Sequence, residues 1–135
     1  MKLSKFQTDG TKETEGVWVD IGDGAKVLVA RIGNPKYREY YQRATKPYRR
    51  QIRTDTLAQD IAEKLYTQAL AETILLGWEG LLDSDSKEIR WSRAKALEVL
   101  TDYKDFRDLV AEIAQEQDQY RTEEVEATKE ALGNG

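Results

Sequence analysis

Histidine and cysteine are both absent from this 135-residue sequence. Without them there is no thiol nucleophile, no histidine-based triad, no disulfide, and almost no route to a zinc or haem site. No stretch approaches the ~18–20 apolar residues that span a bilayer, so no membrane role is expected. The opening Met1-Lys2-Leu3-Ser4-Lys5-Phe6 has no apolar run behind it and does not read as a secretory signal. A cytosolic protein is therefore expected. Excess positive charge is lacking as well: 21 basic residues face 25 acidic ones, a net charge of −4, which disfavours a dedicated nucleic-acid binder. No cofactor, metal or catalytic residue is expected, and the chain reads as a non-enzyme.

What is present points to one α+β domain, mainly α. Residues 1–16 read as a flexible leader, since 7–16 are polar and offer nothing to bury. From Val17 the apolar period becomes two, and Gly22-Asp23-Gly24 separates two β-rich runs. Asp-Gly at such a place favours a two-residue turn with positive φ at both positions, hence a hairpin over 17–32. That turn would pair Val19 with Leu28 and Trp18 with Val29, leaving both faces apolar. A lone hairpin is marginal, so helices, further strands or a second copy must cover it.

Helices are expected over 35–120, four to five in number. Asn34 and Pro35 make a cap and a first helical position; Pro47 breaks that helix. Thr54 is a candidate cap for a long helix Thr56–Leu76, whose apolar stripe steps by three and four through Leu57, Ile61, Leu65, Ala69 and Leu76. Gly77 and Gly80 read as its end. Residues 81–90 form a polar hairpin loop, Ser92 caps a short helix, and Thr101 or Asp102 opens a last long helix with Phe106, Leu109, Val110, Ile113 and Tyr120 on its seam. The main domain spans 17–130, with residues 121–135 expected to fray.

Charge is distributed unevenly. Lys36 to Arg53 carries seven cations against Glu39, with Tyr37, Tyr40, Tyr41 and Tyr48 interleaved, whereas Asp102 to Glu130 carries ten acids against four bases. Three readings stand: solvated or internally matched charge, a surface for protein partners including head-to-tail pairing of subunits, or a single-strand nucleic-acid contact. Asp83-Ser84-Asp85-Ser86-Lys87-Glu88 begins like a calcium loop but lacks the glycine and the distant glutamate. The carboxylate pairs Asp105/Asp108 and Glu112/Glu116 share a helix face without a visible cleft. Trp18, Trp78 and Trp91 are core fillers or interface anchors.

The order of segments resembles the tail assembly chaperones of long-tailed bacteriophages. The likeness is carried by Gly16 to Ala25, Ala30 to Tyr37, Thr45 to Arg50, Ala71 to Leu81 (with Leu76-Gly77-Trp78-Glu79-Gly80 at its centre) and Phe106 to Val110. It covers about residues 16–130. The resemblance implies a protein that binds the tape-measure protein in the host cytoplasm, keeps it soluble, promotes tail-tube assembly and is absent from the mature virion. Partners would be the tape-measure protein, with the major tail-tube protein and a homo-oligomer as further options. The alternatives are a small structural tail or head-completion subunit, or a nucleic-acid-binding phage protein. The resemblance supplies no site residues. Aromatic and basic character instead nominates Trp18, Val29, Tyr37, Tyr41, Arg49, Arg50 and Trp78 for partner binding, with client contact and self-association sharing the surface around Trp18, Val29 and the basic helix.

Overall fold

The computed structural model describes residues 1–122; the expected fraying of 121–135 lies outside the described residues from 123 onward. The fold is α+β and mainly helical. Strands β1 (Val17–Gly22) and β2 (Ala25–Val29) form the hairpin, with positive φ at Asp23 and Gly24 as the tight turn requires. A third strand, β3 (Leu75–Glu79), completes an antiparallel sheet of order β1-β2-β3.

The hairpin register differs from the expected one by a residue. Asp20 pairs with Lys26 but Gly22 with Ala25, so Ile21 bulges. The Asp20 carboxylate accepts the Gly22 N–H at 2.8 Å and holds the kink. Trp18 therefore lies opposite Leu28, and Val29 opposite Val17. The bulge sorts the faces: Ala25, Val27 and Val29 are buried, while Trp18, Asp20, Lys26 and Leu28 take the other side. The expectation of two largely apolar faces is thus corrected.

β3 also corrects the long helix. Helix α4 runs only from Gln59 to Thr73; Leu75–Glu79, expected as its last turn and end, pairs with β2 instead. Its start is shifted too. Thr54 does not cap α4 but donates to the Arg50 carbonyl at 2.9 Å, closing the short helix α3 (Arg49–Arg53). Asn34 and Ser92 do cap: their side chains accept the N–H of Tyr37 and Lys95, opening α2 (Pro35–Thr45) and α5 (Arg93–Asp102). Thr101 and Asp102 belong to the end of α5, and α6 (Lys104–Gln115) starts after Tyr103 without a side-chain cap. The loop over 81–90 is a small hairpin as expected, bridging Leu82 to Glu88.

The inner sheet face packs on α4, α5 and α6 around Val27, Val29, Leu70, Ile74, Leu100 and Val110, while α2 lies on the outside of α4. Arg107 ties α6 to α4: its guanidinium donates to Glu63 Oε1 at 2.9 Å.

Residues 1–16, expected as a flexible leader, carry regular structure. Asp9 accepts the N–H of Thr11 and Lys12 and opens helix α1 (Gly10–Glu15). That segment is laced to the other end of the described chain and to Arg31 after β2. Asp9 N–H donates to Tyr120 O at 2.8 Å, Arg121 donates to Lys5 O at 2.7 Å, and Arg31 N–H donates to Glu13 O at 2.8 Å. The Thr8 hydroxyl bonds the Glu13 carboxylate. Tyr120 is the pin. It is fully buried in a turn after α6 and donates to the Val29 carbonyl at 3.1 Å.

Candidate interaction surfaces

Three features of the surface stand out, and they lie on different elements. The first is the outer sheet face. Trp18 is 47% exposed on edge strand β1. The far end of its ring reaches Gly77 on β3: a Cβ built at Gly77 would stand 3.5 Å from both the Trp18 ring and Leu28, in ordinary contact. Lys26 Nζ sits 5.0 Å from the ring centroid, within reach of a cation–π attraction, and also pairs with Glu79 at 3.2 Å. The result is an apolar platform of Trp18 and Leu28 with a charged rim.

The second is the basic arm. Every residue of α3 is exposed, including Ile52 at 45%. Arg49, Arg50 and Arg53 make no ion pair among the described residues; on α2, Arg43 reaches Glu39 at 3.9 Å within its own helix. The cations therefore stand in solvent, and the internal match to the acidic stretch is not made among the described residues.

The third is an open cleft of about 750 Å³ where the 81–89 loop faces the corner between α5 and α6. Ile89, Val99 and Phe106 supply its apolar lining, Leu82 and Tyr103 its rim, 57% and 63% exposed, and Asp83, Asp102 and Asp105 its charge. Lys104 turns toward Glu63, 3.9 Å away. The Asp83 carboxylate accepts the N–H of Asp85 and Lys87 at 2.9 Å each, so the loop read against a calcium site spends that group on its own backbone. Glu63 is held below the ordinary carboxylate range, first by its hydrogen bond from Arg107 and then by Lys104.

Of the residues nominated from sequence, the structure leaves Trp18 accessible on β1 and Arg49 and Arg50 accessible on α3. Val29 and Trp78 are buried in the core, and Trp78 Nε1 donates to the Ile89 carbonyl at 2.7 Å. Neither reaches the surface. The displacement of Val29 follows from the Ile21 bulge. Tyr37 and Tyr41 stack at 5.8 Å between ring centroids and are half buried; burial first, then Tyr66 and Tyr41, pushes the Tyr37 hydroxyl up to about 12. Sequence reasoning passed over Leu82, Tyr103 and the cleft between them. Their signal was faint: two apolar residues inside otherwise polar stretches.

A family model described as YdaY prophage protein matches residues 32–134. The chain belongs to this family. It is thus a phage-derived protein, and the match takes in α2 to α6 and β3 while leaving the β1–β2 hairpin outside. No curated protein and no solved structure matches the chain.

Proposed function

We propose that this prophage protein is a non-enzymatic tail assembly chaperone that binds the tape-measure protein, keeps it soluble, promotes tail-tube assembly and leaves before the virion matures. Its place of action is the host cytoplasm. The observation that carries the reading is the open platform of Trp18 and Leu28 over Gly77. A long, largely helical and apolar client needs such a surface, on which one face of an amphipathic helix can lie. Prophage membership and the order of the resembling segments support the same reading.

Co-expression with the tape-measure protein of the same phage tests it. The expected result is soluble client recovered with the wild-type chain, and much less with Trp18→Ala, while the thermal midpoint of Trp18→Ala stays near that of wild type. Client that precipitates equally with or without the chaperone overturns the proposal. So does finding the chain as a stoichiometric component of purified virions, which would make it a structural subunit.

A further inference from the structure

We propose that copies of this chain associate head-to-tail, the α3 arm of one seating in the α5–α6 corner cleft of the next. The two surfaces are complementary in three respects. Charge is one: Arg49, Arg50 and Arg53 stand in solvent without an anion, and Asp102 and Asp105 form no ion pair among the described residues. Apolar content is another. Ile52 is the one apolar side chain of the arm, and the cleft offers Phe106 at its base with Leu82 and Tyr103 on its rim. Size is the third. A five-residue helix occupies a cylinder roughly 10 Å wide and 7.5 Å long, about 600 Å³, and the cleft holds about 750 Å³.

The arm and the cleft are different patches, so the contact is heterologous: each docked copy leaves one free arm and one free cleft. A contact made by so short a helix lies at the small end of protein interfaces, below roughly 1,200 Å² in total. Association should therefore be weak, concentration-dependent and sensitive to salt, because exposed charges supply much of the attraction. The proposal goes beyond the chaperone reading and needs no client. Its failure leaves client binding by the Trp18 platform untouched.

Sedimentation velocity of the full chain, over a wide range of concentration at low and high salt, tests it. Wild type is expected to grow into species larger than dimers at high concentration and to dissociate in salt. The arm variant Arg50→Ala/Ile52→Ala/Arg53→Ala and the cleft variant Leu82→Lys should each weaken association at least about tenfold, the effect of losing ~1.4 kcal/mol. Both change exposed positions, and circular dichroism should show them folded; Asp102→Asn/Asp105→Asn is a second, nearly isosteric cleft variant. Mixed together, the arm variant and Leu82→Lys still supply one intact cleft and one intact arm. They should pair one-to-one with wild-type affinity and grow no further. A wild-type chain that stays monomeric at every concentration overturns the proposal. So do variants that associate like wild type, or a mixture that remains monomeric.

Discussion

Tyr120, at the end of the short 3-10 helix Gln117–Tyr120 after α6, should be worth several kcal/mol to this fold. Its ring is fully buried and its hydroxyl donates to the Val29 carbonyl at 3.1 Å, joining the segment after α6 to the end of the central strand. A buried aromatic side chain removes ~150–250 Å² from water. At ~25 cal/mol per Å² that is ~4–6 kcal/mol, and comparison with measured aromatic truncations puts Tyr120→Ala at ~3–5 kcal/mol. Tyr120→Phe keeps the ring and loses only the hydrogen bond, about 1 kcal/mol, somewhat more because a buried carbonyl is left short of a partner. Urea unfolding followed by tryptophan fluorescence measures both. The Tyr120 carbonyl also receives Asp9 N–H, and Arg121 next to it holds Lys5. The alanine variant should therefore release α1 before the core: amides of residues 10–16 exchange faster while those of α4 remain protected. An alanine variant that loses less than about 1 kcal/mol, against the truncation values above, would refute the reasoning. Exchange that accelerates in α4 and α1 together would do the same for the claim that Tyr120 pins the N-terminal segment.

Three further outcomes follow from the same contacts. Gly80 has φ +78°, and a Cβ there would lie 2.4 Å from the Gly24 carbonyl oxygen, whereas one at Gly77 meets only ordinary contacts at 3.5 Å. Gly80→Ala should cost on the order of 2 kcal/mol or more from strain and displacement, and Gly77→Ala less than about 1 kcal/mol, by thermal denaturation. Trp78→Phe should be more destabilising than Trp91→Phe by ~1–2 kcal/mol, because Trp78 Nε1 donates to Ile89 O at 2.7 Å while Trp91 Nε1 is a buried donor with no partner among the described residues. Glu63 titrates below its ordinary range because Arg107 bonds its ionised form. The lowered folded-state value means that this support is present at neutral pH and is lost as pH falls through the acid range. Stability measured against pH should therefore fall less steeply in Glu63→Gln than in wild type.

The hairpin was legible because Asp23-Gly24 has a single easy backbone solution, and Asn34, Pro35 and Ser92 announced their helices through groups that the backbone itself needs. What escaped was decided by distant partners. Leu75–Glu79 continues the three-and-four spacing of α4, so its local pattern reads as helix. It becomes a strand because β2 lies alongside and because Ala30 N–H donates to the Ile74 carbonyl at 2.9 Å. Thr54 is an acceptable cap by type, yet its hydroxyl serves the carbonyl end of α3 instead. Residues 7–16 looked structureless since none is apolar; their order comes from Asp9 as a cap and from hydrogen bonds to residues 120 and 121, more than a hundred positions away. The candidate surface was half legible for the same reason. Exposure of the arm followed from its charge, but whether Trp18 or Val29 faced outward hung on one bulged residue.

That bulge has a consequence for how the molecule divides its tasks. Had the hairpin kept its unbroken register, Trp18 and Val29 would have been cross-strand partners on a single face. With Ile21 bulged, the β-branched residues of β2 turn inward to the core, and the large aromatic of β1 is left outside over a glycine. The sheet thus gains a buried face that stabilises the domain and an open face that does not depend on that burial for its own shape. The arm and the cleft sit apart from both, on the helical layer. Substitutions on the open face, on the arm and on the cleft rim should consequently have little effect on folding, whatever they do to the proposed client binding and self-association, while changes at Val29 or Trp78 should act through the fold alone.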